Sequence, residues 1–293
     1  MNNPNFIIIG AQKASTSSML HILNQHPDIY LPKNEIDIFE IDNFYDYENF
    51  FNKLFLKSGG KINGIKRPNY IGLLDIPEKI ESYGNGNIKL IAILRDPVAR
   101  LISQYKMHSR QGLLPTFNID KNINKILEKD EKFFFKYPHS QQLLENGLYT
   151  KYLKLYDKTL SKDNLLVLNM KDLLNQPDKF YKIVFNFLEV DFRKLDFNKK
   201  VNSDGDNNLI SKKIISYRSS LIYHKDFKSG NITNKNKLKL HEKVLIKFFN
   251  YIFKIVNNFN FPTQTLSQAT VDKLKKFYSS EIEEVERTYN IIL

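Results

Sequence analysis

Apolar positions along this chain fall into short β-branched runs separated by amphipathic stretches. Phe6-Ile-Ile-Ile9 runs into Gly10 and predicts a buried strand. A small, polar segment, Gly10–Ser18, follows, and then Met19, Leu20, Ile22 and Leu23 recur at helical spacing, giving strand–loop–helix. Ile62–Lys66 predicts a second short strand, stopped by Pro68. Ile88–Leu94 is the clearest strand. Arg95-Asp-Pro97 ends it, and Asp96 as cap with Pro97 in the first turn starts a helix. The inner face of that helix carries Val98, Leu101, Ile102 and Tyr105. A long helical stretch through Gln141–Tyr156 precedes a further strand at Leu165–Leu168. Helices are expected over Pro177–Leu188, Leu238–Asn257 and Val271–Asn290, and Asn202–Asn208 reads as a polar loop. Strands alternating with helices predict an α/β fold, a central parallel sheet covered on both faces, in one domain over residues 1–293.

Composition narrows the chemistry. With 293 residues, 42% hydrophobic and 26% charged, the chain lies in the globular range and is long enough for one sizeable core. No apolar run approaches the ~18 residues of a membrane span, so no membrane partner is expected. The start, Met1-Asn-Asn-Pro-Asn, lacks the basic and apolar stretches of a secretion signal, which makes the cytosol the expected (cytoplasmic) compartment. The absence of cysteine excludes disulfides, iron–sulfur clusters and thiol nucleophiles. Six histidines (21, 26, 108, 139, 224 and 241) show no metal-ligand spacing, so no metal is expected. The formal charge of +12 favours an anionic partner: nucleic acid, a phosphorylated cofactor or an acidic glycan. Lysine is abundant throughout, which accounts for part of that excess. Without a nucleic-acid motif or basic–aromatic interleaving, nucleic acid is not the expected partner.

Two elements suit an anion better than net charge does. A loop between a strand end and a helix start collects backbone N–H groups and the positive end of the helix dipole. Residues 10–18 have that placement, with Lys13 as a point charge and four hydroxyls in a row, Ser15, Thr16, Ser17 and Ser18. The sequence is not a Walker A loop, because its lysine sits mid-loop with no glycine before it. A kinase or nucleotide triphosphatase using the same loop would need a magnesium-binding acid and magnesium-dependent hydrolysis. The second element is Leu94-Arg-Asp-Pro-Val-Ala-Arg100-Leu-Ile-Ser103-Gln-Tyr105. Arg95 at a strand's carboxyl end offers a rigid fork for phosphate, and Ser103 follows two helical turns on.

Together these elements resemble the sulfotransferases that use 3′-phosphoadenosine 5′-phosphosulfate (PAPS), especially the bacterial and heparan-sulfate-type branch. The family loop Gly-x-x-Lys-x-Gly-Thr-Thr/Ser-Ser, which holds the 5′-phosphosulfate, maps to Gly10, Lys13, Thr16, Ser17 and Ser18, with Ala14 inside it and Ser15 where the family has glycine. The family motif Leu-Arg-Asp-Pro-x-x-Arg-x-x-Ser-x-Tyr matches from Leu94 to Tyr105, and its arginine and serine, here Arg95 and Ser103, bind the 3′-phosphate. His26-Pro-Asp28 with Lys33-Asn-Glu35-Ile-Asp-Ile-Phe39 resembles the segment whose glutamate, here Glu35, is the catalytic base. Lys66-Arg-Pro-Asn-Tyr70 resembles the Lys-Thr/Ser-Pro-x-Tyr element that carries a second active-site lysine. Gly147-Leu-Tyr149 resembles a later structural element, which brings Tyr149 to the cofactor side; Leu266–Tyr278 resembles the C-terminal helix of bacterial members. Val201-Asn-Ser203 stands where the family has a third cofactor loop, with Lys212 and Lys213 as its basic candidates.

The resemblance implies a P-loop-like sulfotransferase fold, PAPS as sulfuryl donor and the bisphosphate PAP as product. Lys13 would neutralise the leaving phosphate, Glu35 take the acceptor's proton, and Lys66 stabilise the sulfuryl group or orient Glu35. His108 is the rival base, since other branches use histidine. The expected acceptor is a small molecule, such as a bacterial natural product sulfated on a hydroxyl, amine or carbamoyl nitrogen; a glycan is the alternative. Asp37 stands where the family often has histidine and would favour a cationic or polar acceptor. A monomer or homodimer fits equally.

Overall fold

The computed structural model describes residues 3–42, 44, 46–196, 223–225, 232–234, 239–256 and 265–293. Its elements open with β1 (Phe6–Gly10), α1 (Thr16–Leu23), β2 (Ile29–Tyr30), α2 (Tyr47–Leu54), β3 (Ile62–Lys66), α3 (Ile76–Gly84) and β4 (Lys89–Leu94). Five helices follow: α4 (Pro97–Arg110), α5 (Ile119–Leu127), α6 (Glu131–Lys136), α7 (Gln142–Glu145) and α8 (Tyr149–Thr159). Then come β5 (Leu165–Asn169), α9 (Met170–Asn175) and α10 (Pro177–Phe187), β6 (Tyr223–Lys225), β7 (Ile232–Asn234), α11 (Leu240–Val256) and α12 (Gln268–Tyr289). The chain divides into two compact units: Met1–Arg100 with Leu148–Ser203 and Ser279–Leu293, and Leu101–Gly147 with Asp204–Tyr278.

The first unit contains a five-stranded sheet in the order β2-β3-β1-β4-β5, every neighbouring pair parallel. Helices flank it, as the alternation of strand and helix patterns predicts. Phe6–Ile9 and Leu90–Leu94 are completely buried, which is why these strands read as continuous apolar runs rather than alternating ones. Phe6 lies opposite Gly64 of β3 in register, and a Cβ on Gly64 would stand 2.3 Å from the Phe6 ring. The glycine makes room for the aromatic ring inside the sheet. The observed strands reproduce Ile62–Lys66 and shift the expected 88–94 and 165–168 boundaries by one residue. Asp96 caps α4 as expected, its Oδ1 accepting from the Ala99 N–H at 2.7 Å.

Among the described residues, the regular elements of the second unit are helices and the antiparallel β6–β7 pair. Its buried Tyr105 donates to the carbonyl of Pro115 at 2.8 Å and accepts from Asn122 at 2.8 Å, tying α4 to the start of α5. Here one expectation is corrected. The single helical stretch over 141–156 is two helices, α7 and α8, separated at Asn146–Leu148. The Tyr278 hydroxyl donates to the Leu144 carbonyl at 2.8 Å, and its ring lies within 2.8–2.9 Å of where a Gly147 Cβ would sit. Tertiary contact thus claims a carbonyl that a continuous helix would need. The last helix starts three residues earlier than expected, at Gln268, where the Ser267 hydroxyl accepts from the Thr270 N–H and donates to Asp120 at 2.9 Å.

Gly64→Ala places a methyl against the buried Phe6 ring. It should lower unfolding stability by about 1–3 kcal/mol, the range for overpacking a well-filled core, read as a reduced urea midpoint at unchanged slope.

Candidate active site

β1 is the middle strand, and the connections from β1 and β4 leave toward opposite ends of the sheet. The crevice outside the carboxyl ends of β1 and β4 is therefore the topological switch point, where open α/β sheets bind ligands. The loop after β1 fills one side of it. Ala11 N–H donates to the Ile93 carbonyl of β4 at 2.7 Å, and the Arg95 guanidinium donates from Nη1 to the Lys13 carbonyl at 3.0 Å. Arg95 is held from behind by the buried Tyr149, whose hydroxyl donates to the Arg95 carbonyl at 2.8 Å. Tyr149 therefore acts on Arg95 through its backbone.

Within the loop Ala14 and Thr16 are buried, and Lys13, Ser15, Ser17 and Ser18 are half-buried. Ala14 thus offers its backbone rather than its side chain. Lys13 and Ser15 take left-handed backbone angles, φ 67° and 64°. Ser15 is the N-cap of α1, and its side chain makes no capping bond there. Glycine is the residue that takes this conformation without steric cost, which explains the glycine found at that place in the family loop.

The loop after β3 supplies the other side. Lys66, the last residue of β3, is only 5% exposed; its Nζ donates to Ser17 Oγ at 3.2 Å and to Glu35 Oε1 at 3.0 Å. One ammonium thus joins the β1 loop to the carboxylate that the sequence singles out as a base. The segment bearing Glu35 is fastened to the same loop. Ile36 N–H donates to the Lys66 carbonyl at 3.1 Å, and the Tyr70 hydroxyl donates to the Ile36 carbonyl at 2.8 Å. Burial pushes the Tyr70 phenol well above its ordinary pKa, so it remains a donor. Gln12 also donates to Asn69, linking the two loops directly.

Two residues that sequence reasoning passed over belong to this cluster. Arg67 donates from Nη1 to Glu35 Oε2 at 3.2 Å, and holds Glu40 in a fork, Nε to Oε1 at 2.5 Å and Nη2 to Oε2 at 2.7 Å. Burial works against the Arg67 charge, yet the Glu40 bond and the negative charges of Glu40, Glu35 and Asp37 push its pKa above the already high guanidinium value. The available signal was Arg67 itself, a bulky cation where the family pattern has a small hydroxyl. Nothing in the sequence paired it with Glu40. Of the remaining candidates, Ser103 is buried on α4 in the second unit, and His108, on the same helix, stands with its ring centroid 5.8 Å from that of His139. Lys212, with Val201–Ser203 and Lys213, lies outside the described residues.

Comparison with known proteins decides the family. A profile described as "Sulfotransferase domain" matches residues 3–254. The chain belongs to the sulfotransferase family. Human "Heparan sulfate glucosamine 3-O-sulfotransferase 5" is 27% identical over 208 residues, covering 68% of this chain and 57% of that protein. Human "Heparan sulfate glucosamine 3-O-sulfotransferase 3B1" is 33% identical over 120 residues, 39% of this chain and 29% of the relative. The match thus spans little more than half the length of the first of these curated relatives. The solved sulfotransferase from Alicyclobacillus acidocaldarius superposes with a TM-score of 0.57 at 23% identity, over 70% of this chain and 88% of that one, and shows the same fold. Among the described residues, no helix is long and apolar enough to cross a membrane.

A sulfotransferase loop with serine at the strained position has a testable cost. Ser15→Gly relieves a left-handed residue worth about 1–2 kcal/mol, partly offset by glycine's greater unfolded entropy of roughly 0.4–1 kcal/mol. The variant should melt at or slightly above the wild-type temperature, whereas Ser15→Val should melt lower.

Proposed function

We propose that this sulfotransferase moves the sulfuryl group of PAPS to a hydroxyl, amine or carbamoyl nitrogen of a small acceptor, with Glu35 as general base. The observation that carries the reading is the Lys66 ammonium bridging Ser17 of the β1 loop and Glu35. It puts a carboxylate, a buried cation and an anion-suited loop at one sheet edge. The fit to a nucleotide bisphosphate rests on the donor set: Lys13 and Arg95 at adjacent strand ends, backbone held in left-handed turns, and a helix whose N-cap side chain makes no cap bond.

In this mechanism Glu35 takes the proton of the acceptor O–H or N–H as the new bond to sulfur forms. The bond from sulfur to the 5′-phosphate oxygen breaks, and the electron pair leaves with PAP. Lys13, with the loop amides, neutralises charge growing on that oxygen. Lys66 orients Glu35 and faces the transferring group. Arg95, joined on the sequence motif by Ser103, holds the 3′-phosphate. Positioning and electrostatics do the work, as in phosphoryl transfer. A glycan hydroxyl is the second acceptor reading, favoured by the names of the human relatives.

Calorimetry with PAP should show affinity lost in Lys13→Ala and in Arg95→Ala; wild-type affinity in both would overturn the reading. Glu35→Gln should bind PAP normally while its transfer rate falls ~10²–10⁴-fold, the usual worth of a general base. Transfer measured in EDTA should proceed at full rate, since the proposed chemistry uses no magnesium; a kinase would stop.

A further inference from the structure

Glu35 is exposed enough (40% of its side chain) that packing does not fix its carboxylate, and the terminal torsion of glutamate is broad. Lys66 grips one oxygen only. The other oxygen is gripped by Arg67, itself mostly covered at 20% exposure and locked in plane by the two-point bond to Glu40. Glu40 closes a short 3₁₀ turn, Ile38–Glu40, in which Ile38 and Phe39 are buried in the core. The Arg67 backbone N–H donates to the Ile8 carbonyl of β1 at 3.0 Å, so both ends of the arm are fastened. A pair formed only for structure would be complete with Arg67 and Glu40. Instead the guanidinium spends a further nitrogen on the exposed carboxylate.

We propose that Arg67 is the positioning residue for Glu35, with Glu40 as its anchor. This rests on the reading of Glu35 as base and deepens it. A carboxylate offers about four lone-pair sites, two per oxygen. Lys66 and Arg67 occupy one on each oxygen, which stops rotation and leaves one site per oxygen to receive the acceptor's proton. Lysine at position 67 is a point charge without the planar fork that grips Glu40 at two points while a further nitrogen reaches Glu35. Glu40 influences the reaction only through Arg67.

The test is a kinetic double-mutant cycle of Arg67→Ala, Glu40→Ala and the double variant, with Arg67→Lys alongside. PAPS is the donor, heparan sulfate and 4-nitrophenol are the two acceptors, and PAP affinity and a crystal structure of each protein are measured in parallel. Expected is a kcat loss on the order of 10²-fold in Arg67→Ala, the scale of a small misplacement of a reacting group, with PAP affinity and the KM for PAPS unchanged. Glu40→Ala should lose less, the double variant no more than Arg67→Ala, and Arg67→Lys should not restore kcat. The crystal structure of Arg67→Ala should show the Glu35 carboxylate turned away from its wild-type position. Wild-type kcat in Arg67→Ala, additive losses in the cycle, or an unmoved Glu35 carboxylate would overturn the proposal. If the wild-type protein binds no PAP, it is the reading of the site that falls, and the position of Glu35 in the Arg67→Ala crystal structure still decides whether Arg67 holds it.

Discussion

A buried ammonium must be paired, and that constraint organises this molecule. Lys66 sits at the carboxyl end of β3 with almost no contact with water. Leaving such a charge unpartnered is far costlier than the pair itself is stabilising. The chain meets the demand with one hydroxyl and one carboxylate, Ser17 and Glu35, contributed by segments 49 and 31 residues away. The β1 loop and the segment after β2 are therefore not independently mobile surface turns. They are the two sides of a cation's coordination, and their relative position is set by hydrogen bonds to it. This is how the fold holds a carboxylate against the β1 loop.

The sheet order makes that arrangement economical. β3, β1 and β4 are immediate neighbours, and their carboxyl ends deliver Lys66, Lys13 and Arg95 side by side. β2, next to β3, delivers the segment that carries Glu35 five residues after the strand ends. Parallel pairing puts all four ends on one edge, so three cations and one carboxylate converge from short connections. Repulsion among the cations is moderated by backbone: Arg95 is spent partly on the Lys13 carbonyl, and Lys66 on Glu35. Three cations against one carboxylate give this edge a net positive charge suited to phosphate.

Much of this was readable from residues alone, for physical reasons. Strands buried on both faces must be apolar throughout, so Phe6–Ile9 and Leu90–Leu94 announce themselves. Loops at strand ends bear their chemistry in consecutive positions, so Lys13 with its hydroxyls, and Arg95 with its capping Asp96, could be found by pattern. Two-residue β2 could not, because Ile29-Tyr30 is too short to have a period. Nor could the break between α7 and α8. The apolar spacing there is helical on both sides, and what interrupts it is the Tyr278 ring against Gly147, more than a hundred residues distant. Local propensity yields to a tertiary contact of that kind.

The Arg67–Glu40 pair shows the same boundary at the site. A carboxylate beside a lysine can be guessed from a motif, because motif residues are near in sequence or fixed in role. A second-tier arm has no such signature: Glu40 lies 27 residues from Arg67, in a turn whose only sequence mark is the apolar pair Ile38-Phe39. Its position follows from the aromatic packing around Phe39, whose ring lies 5.2 Å from Tyr47 and 5.9 Å from Tyr70. Core packing thereby reaches the Glu35 carboxylate in three steps, from Phe39 to Glu40, to Arg67, to Glu35. A site held in this way inherits the rigidity of the core beneath it. The Glu35 carboxylate, more exposed than Glu40, is thereby tied to the core through Arg67.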